Sequence, residues 1–442
     1  MLEALTLVLF AAACLYGVVR PIWTVAMIVL LFPMEQLMQA AAPSLRATPL
    51  GNQAVNYIVG LVGLASMGST ILQRPDPFRG LLNGATVAVT LILIWATLTI
   101  AWSLDRTGAI DMTSLSWPYY FLRIVIGSFL LLSVEDLDRL WRYMMVLACA
   151  LCILILTNPA FTSQYGRLGF VEGSKMRSNP LALGDLGAIA LMLGGLLRRT
   201  GGGRLFAILR PVSVAVGTIM AIQSGARGQL FLAALTTLAF FPVAAPLKSV
   251  RAFILTLTGL AAFAVLVPVL MSFLLEGFAA QRFSLESLLY GSSSASERVA
   301  NVRLLFEAFL RRPGSILTGL GYFSFNSLGG GTVYSHVIIA DFIFELGLPG
   351  IAGLVTIIWV SATSSISLYR RWMLHPVLRT STATLLAFLV FFLLLANKQG
   401  DLWGSTVLFM FMCMAGRLHA RRELEDVHEE EVPPDAPEVA TP

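Results

Sequence analysis

Repeated apolar runs, each close to 20 residues long, constrain this chain more than any other feature of its sequence. An α-helix of that length can cross the hydrocarbon core of a bilayer. Roughly thirteen such runs lie at 4–19, 22–41, 53–73, 81–102, 117–133, 139–157, 180–197, 205–222, 229–245, 251–275, 337–362, 381–396 and 402–416. They lack the in-and-out alternation of barrel strands. We therefore predict an all-α polytopic membrane protein with roughly 12–13 transmembrane helices and one large outer loop.

The composition is typical of the same class of protein. Hydrophobic residues make up 57% of the 442 residues and charged residues only 12%, against roughly 25% charged residues in soluble domains. The formal charge of +5 does not indicate a nucleic-acid partner, because the arginines lie in short loops where they set topology. All four cysteines lie inside apolar runs, which predicts packing rather than a disulfide framework.

Lysine and arginine occur in alternate short loops, and this pattern predicts the orientation of the spans. The basic segments lie near residues 20, 74–79, 139–142, 198–210, 248–251, 370–379 and 417–422. The positive-inside rule assigns these segments to the cytoplasm, together with the C-terminus. The N-terminus and the segments 158–179, 223–228 and 291–350 are then predicted to lie outside.

The apolar runs divide the chain into four predicted parts. They are an N-terminal transmembrane bundle (1–275), a large outer loop (276–335), C-terminal transmembrane helices (336–417) and an acidic tail (418–442). The tail contains EEEVPPDAPE and has no apolar face to bury. We therefore predict that the tail is disordered.

The segment 291–350 is the longest stretch that cannot cross a bilayer. Ser294 and Glu297 fit a capping box that would begin a helix, and Pro313 would end it. The apolar residues of this helix recur at helical spacing and predict a face against the membrane or the bundle. They are Val299, Val302, Leu305, Phe306 and Phe309. The chain then passes through a glycine-rich turn and re-enters apolar sequence at His336.

Several arginines on the outer side are candidates for ligand binding, because positive charge is normally depleted there. Arg227 lies in QSGARGQL, whose small residues allow a ligand or a helix to approach closely; the alternative is an interfacial anchor. Arg298 and Arg303 lie on the loop helix, and the alternative for both is a solvated charged face. Arg167 and Asn179 precede them on the same side, where Asn179 also fits the cap of the next span.

His336 is the one histidine predicted on the outer side, and imidazole exchanges a proton near neutral pH. Asp341 and Glu345 follow it into the apolar run. A carboxylate there costs about 2.5–3.5 kcal/mol and therefore has a function or a partner, such as an arginine. Gly319 and Gly321 precede His336, where they permit close backbone approach to a ligand or form a simple turn.

These residue types together predict the chemistry of a ligand. Guanidinium forks match phosphate oxygens, and one imidazole beside them supplies proton transfer. The sequence has no Cys/His cluster and no Walker-type loop, so neither a metal nor a nucleotide cofactor is predicted. The predicted ligand is a membrane-embedded lipid that carries phosphate.

Four motifs resemble the bacterial O-antigen ligase and polymerase superfamily of integral membrane glycosyltransferases. They are RLGFVEGSKMRSNPLALG, SGARGQL, RRPGSILTGLGYFSFN and YSHVIIADFIFELGLPG, which together with the loop helix cover less than a fifth of the chain. Many members of that family have asparagine after the histidine, whereas this chain has Val337. The resemblance implies a multi-pass protein of the bacterial inner membrane, with the active site facing the periplasm.

The family resemblance also implies a reaction. Glycan would be transferred from an undecaprenyl-diphosphate carrier, without a nucleotide sugar and without a metal. Arg227 and Arg298 match the arginines thought to hold the diphosphate, and His336 matches the histidine thought to act on the acceptor hydroxyl or to steady the leaving group. The acceptor would be a growing glycan in a polymerase or lipid A core in a ligase, and the spacing of His336, Asp341 and Glu345 favours the polymerase. Other polysaccharide-assembly proteins are possible partners.

Two other classes of protein are alternatives to the glycosyltransferase. A transporter or flippase for a lipid-linked or anionic solute would line a path across the midplane with its polar residues. The predicted residues instead gather at the outer edge, which favours the enzyme. The sequence also lacks the motifs of the peptidoglycan polymerases of the shape-and-division family, which use lipid diphosphates too.

Overall fold

The structure, a computed structural model, describes residues 2–42, 53–164, 167–172, 175–176, 179–197, 203–245, 293–329, 335–402 and 404–431, and the single residues 45, 51, 251, 254 and 258. These residues are helical apart from three short strands and the turns between elements. The chain is an all-α polytopic membrane protein, as predicted from its apolar runs. The predicted span 251–275 lies outside the described residues apart from the single residues 251, 254 and 258.

The first half of the chain forms a series of helices joined by short turns. They are α1 (Leu2–Val19), α2 (Pro21–Val29), α3 (Leu31–Ala41), α4 (Ala54–Gln73), α5 (Gly84–Thr99), α6 (Arg106–Tyr120) and α7 (Val134–Thr157). A 3-10 turn, Ile100–Trp102, extends α5, and a π-helix, Phe121–Gly127, extends α6. Asn83 starts α5 because its side chain accepts hydrogen bonds from the backbone N–H groups of Ala85 and Thr86.

The second half contains the strands, the loop helix and the last spans. Its elements are β1 (Phe161–Gln164), β2 (Arg167–Glu172), β3 (Lys175–Met176), α8 (Pro180–Leu196), α9 (Gly203–Gln223), α10 (Arg227–Ala244), α11 (Ser293–Arg311), α12 (Ser315–Thr318), α13 (Ile338–Ala340), α14 (Gly347–Trp372), α15 (Pro376–Gln399) and α16 (Thr406–Glu431). A 3-10 helix, Ser324–Leu328, follows α12, and a π-helix, Asp341–Glu345, joins α13 to α14.

Seven helices of the described residues are long and apolar enough to cross a membrane, namely α4, α5 with its 3-10 extension, α7, α9, α10, α14 and α15. The pair α2 and α3 passes the same test jointly but bends by 77°, and it gives an eighth span if counted as one. This count is lower than predicted because other apolar runs form short or interrupted helices and because nearly all of the predicted span 251–275 lies outside the described residues. The apolar parts of α1 and α8 have fewer than 18 residues, and α6 changes to a π-helix just after Pro118.

Helix α8 lies among α7, α9, α10 and α15. Its glycines permit this, because a β-carbon on Gly187 would lie 2.6 Å from the backbone nitrogen of Ala221 in α9. A β-carbon on Gly217 of α9 would lie 2.7 Å from the backbone nitrogen of Leu191 in α8. Such small-residue contacts allow helices to pack closely in a bilayer. The packing brings the starts of α8 and α10 and the end of α15 to one end of the bundle, here called the loop face.

The strands form a small antiparallel sheet on the segment between α7 and α8. Phe161 pairs with Phe170 and Gln164 with Arg167 across β1 and β2, and Val171 pairs with Met176 across β2 and β3. Periodicity of apolar runs does not predict strands this short, so the sheet is a local addition to the all-α class. It holds Arg167 at the start of β2, on the chain that leads into α8.

The loop helix α11 agrees with the prediction from its apolar spacing. It ends at Arg311, just before Pro313, and its apolar face packs on the segment that re-enters the bundle. Leu305 is fully buried against Leu320, Phe325 and Ala340. Its neighbours Phe306 and Phe309 both contact the ring of Phe344, whereas Val299 is 70% exposed. The predicted face is therefore a bundle contact over most of its length.

The predicted disorder of residues 418–442 is wrong for the first part of the tail. Helix α16 continues through this part and ends at Glu431. The sequence RRELEDVHEEE contains strong helix formers and neither glycine nor proline. Extending an existing helix also avoids the cost of nucleation. Residues 432–442 lie outside the described residues.

Candidate functional site

Lys398, one residue before the end of α15, lies at the centre of a polar cluster on the loop face. Its ammonium group donates a hydrogen bond to the side-chain oxygen of Gln229 at 3.1 Å. Its aliphatic chain lies directly over Gly228, in the space that a β-carbon at residue 228 would need. The small residues around Arg227 thus allow another helix to approach, which is one of the two alternatives that the sequence left open.

A chain of amide hydrogen bonds continues from Lys398 into the bundle. The side chain of Gln229 donates to that of Gln399 at 2.6 Å, and Gln399 donates to a carboxylate oxygen of Asp185 at 3.4 Å. Asp185 also interacts electrostatically with Lys398. Polar side chains therefore join the starts of α8 and α10 to the end of α15.

Positive charges gather around this cluster. Lys398 interacts electrostatically with both Arg298 and Arg227, and Arg227 interacts in turn with Arg167. Burial lowers the pKa of Arg298, and Glu297 opposes the shift. Because like charges repel in a partly desolvated site, an anionic ligand would relieve this repulsion. The structure thus brings together three of the predicted arginines and adds a lysine.

His336 borders the cluster in a left-handed backbone conformation, with φ of +65°. Non-glycine residues rarely adopt it, and such residues are concentrated at functional sites. The half-buried imidazole makes a hydrogen bond with the backbone of Gln399. Burial and then the charge of Arg298 lower the pKa of His336 below its usual 6.5. The ring is therefore neutral at pH 7 and able to accept a proton.

The two predicted carboxylates hold the re-entrant segment together. Glu345 is buried and accepts hydrogen bonds from the backbone N–H groups of Phe323 and Phe325, at 3.0 and 2.9 Å. Asp341 is also buried and accepts a hydrogen bond from the hydroxyl of Ser335 at 2.5 Å. These partners replace the arginine that one interpretation of the sequence expected. Contact of either carboxylate with a substrate stays a prediction.

Gly319 and Gly321 dock the glycine-rich turn onto the same segment. The backbone N–H of Gly321 donates to the carbonyl of Glu345 at 2.9 Å, and that of Leu320 donates to Phe344 at 2.9 Å. Both glycines have positive φ, and a β-carbon on Gly319 would overlap the Glu345 carbonyl. The structure therefore accounts for both glycines by backbone packing, which is the simpler of the two predicted roles.

Arg303 and Asn179 make local contacts. The Arg303 side chain is 78% exposed and forms a 2.8 Å ion pair with Glu307 on the same helix, as a solvated charged face would. Asn179 caps α8 by accepting a hydrogen bond from the backbone N–H of Leu181 at 2.9 Å. Its carbonyl accepts another from Gln36 at 3.3 Å.

A cavity of about 210 Å³ lies behind the cluster. Its polar lining consists of Arg123, Asn179, Asp185, Gln399, Asp401 and Ser405. Arg123 is only 2% exposed; it donates to the hydroxyl of Thr406 at 2.5 Å, and its guanidinium lies 4.7 Å from the ring centre of Phe32. Its Nε has no hydrogen-bond partner within the described residues. Burial of a charged guanidinium inside a membrane protein costs free energy, so Arg123 indicates a function.

Sequence reasoning missed Lys398, Gln399, Gln229, Asp185 and Arg123. A signal existed for three of them. Lys398 lies between two predicted spans on the outer side, where the argument used for Arg227 applies equally. Asp185 and Arg123 lie inside predicted apolar runs, where the argument used for Asp341 applies. The two glutamines carry no such signal.

No protein-family model matches this chain, and no curated protein matches it. Fold and site define the class of protein as a polytopic membrane protein with a cationic cluster at one end of its helical bundle. Within the described residues, no three His, Cys, Asp or Glu side chains are grouped so that they could hold a metal ion.

Proposed function

We propose that this protein is a membrane glycosyltransferase of the O-antigen ligase and polymerase type. The observation that supports this proposal most is the convergence of Arg227, Arg298 and Lys398 beside His336 at the loop face. These residues come from α10, α11, α15 and the re-entrant segment, which are distant in the sequence. Three cations beside one neutral imidazole suit a diphosphate leaving group and an acceptor hydroxyl.

The reaction would proceed by displacement at the sugar attached to the carrier. The acceptor oxygen forms a bond to the anomeric carbon while the bond from that carbon to the diphosphate breaks. The electron pair leaves with the undecaprenyl diphosphate, whose developing negative charge is stabilised by Arg227, Arg298 and Lys398. The neutral ring of His336 takes the proton of the acceptor hydroxyl.

The acceptor and the location follow from the family resemblance. A polymerase would use a growing lipid-linked glycan, and a ligase would use lipid A core. The spacing of His336, Asp341 and Glu345 favours the polymerase. The active site would face the periplasm from the bacterial inner membrane, because basic loops are concentrated at the other face.

A reconstituted reaction tests this proposal. Purified full-length protein in detergent is supplied with an undecaprenyl-diphosphate oligosaccharide and no other sugar, and the products are separated on a gel. A ladder of repeats is expected for a polymerase, and a shifted band only after addition of lipid A core for a ligase. Arg227→Ala, Arg298→Ala and His336→Ala should each abolish the product, whereas Arg311→Ala, on an exposed position of α11, should retain it. Full activity of the first three variants would overturn the assignment of the active site to these residues.

A transporter or flippase is the second candidate function, and one observation favours it. The bent pair α2–α3 resembles the discontinuous helices of transporters. A 620 Å³ cavity reaches Ile22 at the start of α2, and the 210 Å³ cavity reaches Leu30 at the bend. Movement of the lipid-linked oligosaccharide across sealed vesicles, without any glycan product, would favour this function over the enzyme.

A further inference from the structure

A second cavity, of about 620 Å³, lies at the end of the bundle opposite the loop face. Phe206, near the start of α9, lines it, whereas the end of α9 leads into the candidate site at Arg227. The 21 residues of α9 span about 30 Å, the thickness of a hydrocarbon core. The cavity therefore lies on the other membrane face, outside the proposed active site.

Four arginines line this cavity, which we call the arginine cavity: Arg20, Arg74, Arg139 and Arg142. Arg139 forms a 2.9 Å ion pair with Asp136, and Arg142 forms a 2.8 Å ion pair with Asp138. Arg20 and Arg74 come from the α1–α2 junction and the end of α4. Within the described residues, neither side chain forms a close ion pair with a carboxylate, and Arg74 interacts with Asp136 only at longer range.

The charge of the arginine cavity is therefore incompletely neutralised. Four guanidinium groups line the cavity beside one carboxylate, Asp136, and Asp138 pairs with Arg142 from outside the lining, so the described residues leave an excess of two positive charges. In addition, Nε of Arg142 is buried with no hydrogen-bond partner in the described part of the chain. Val19, Ile22 and Phe206 form an apolar side of the cavity.

Arginines at one membrane face often only set topology or extend into the interface. Such arginines have no reason to line a common concave cavity with excess charge. Guanidinium forks bind phosphate oxygens bidentately, and an apolar side beside them suits the glycerol and first methylenes of a lipid. We infer that the arginine cavity binds the phosphate group of an anionic ligand, supplied either by an anionic phospholipid headgroup or by a free phosphate.

The proposed site is independent of the glycosyltransferase reaction and is tested by binding alone. Native mass spectrometry of the full-length protein in neutral detergent is used to titrate phosphatidylglycerol, phosphatidylcholine and, separately, inorganic phosphate. The double variant Arg20→Gln/Arg74→Gln removes the two cations without an ion pair. The matched control is Arg370→Gln/Arg371→Gln, two exposed arginines at the end of α14 that do not line the cavity.

Preferential binding of phosphatidylglycerol over phosphatidylcholine is expected, with a loss of about fivefold for each arginine removed from the cavity. Displacement of phosphatidylglycerol by millimolar inorganic phosphate would instead identify free phosphate as the ligand. The proposed phosphate site would still stand in that case. Equal loss in the control variant would mean that general surface charge explains binding and would overturn the proposal. Absence of binding of both phosphatidylglycerol and inorganic phosphate would overturn it as well.

Discussion

Lys398 of α15 lies across Gly228 of α10, and its ammonium group donates a hydrogen bond to the side chain of Gln229, the next residue of α10. A lysine near the end of one span is thus held by the first turn of another, 170 residues earlier in the chain. Only glycine at residue 228 leaves room for this arrangement. The position of the cation therefore depends on the absence of a side chain on the neighbouring helix.

Gly228→Ala should displace Lys398 while leaving the fold intact. The new methyl group would overlap the far end of a flexible lysine rather than backbone, so the side chain can move away at little cost. Transfer activity should fall with the displaced cation, whereas the melting temperature in detergent should change little. Unchanged activity would show that the position of the ammonium group does not matter.

Lys398→Met should lower the rate of glycan transfer on the order of 100-fold, as loss of one charge-stabilising group does in other active sites. Methionine keeps an apolar chain over Gly228 and removes the charge together with its hydrogen bond to Gln229. The rate is measured as product formed per minute at saturating carrier-linked glycan. A rate equal to that of the unaltered protein would exclude Lys398 from stabilisation of the leaving group.

The pKa of His336 should lie below the usual value for histidine, because burial and then the charge of Arg298 disfavour the protonated ring. NMR titration of a labelled variant that retains only this histidine measures it directly. Arg298→Gln should raise the pKa of His336, and Glu297→Gln should lower it further, since Glu297 opposes the shift.

The same titration predicts the pH dependence of the reaction. A ring that must accept a proton works only when neutral, so transfer should rise as the pH increases through the pKa of His336 and level off above it. Because that pKa is lowered, the midpoint of the rise should lie below pH 6.5. A rise centred above pH 7, or a pKa unaffected by Arg298→Gln, would contradict the proposed neighbourhood of His336.

Gly319→Ala should destabilise the protein more than Gly314→Ala, although both glycines have a similar positive φ, +73° and +81°. Alanine at residue 314 meets open space and carries only the backbone strain, about 1–2 kcal/mol. Alanine at residue 319 would also overlap the Glu345 carbonyl, which adds about 1–3 kcal/mol. Thermal unfolding in one detergent compares the two, and equal losses would contradict docking of this turn.

Local features of the chain were predictable from the sequence. Apolar spacing and the Pro313 break predicted helix α11, and the Asn-Pro pair predicted the cap of α8 at Asn179. These features depend on residues within about two turns of one another, so a short window of sequence contains the physical cause. Interrupted spans such as α2–α3 were read as continuous because hydropathy does not report bending.

The candidate site was predictable only in part. The positive-inside rule identified Arg227 and Arg298 as unusual positive charges on the outer side. It could do so because it is applied to each residue separately. The amide contacts of Gln229 and Gln399 with Asp185 join three helices that are far apart in the sequence. No periodicity or motif encodes such contacts, since they depend on how closely the glycines of α8, α9 and α10 allow the helices to approach.

Gln399 uses its backbone to hold His336 and its side chain to join Gln229 with Asp185. Gln399 is the last residue of α15. Both contacts therefore form only if the helix ends with this residue turned toward His336, Gln229 and Asp185. Adding or deleting a single residue within α15 would turn its end by about 100°. The length of this span is therefore constrained as strictly as its polar residues, and insertions in it should be less well tolerated than most substitutions.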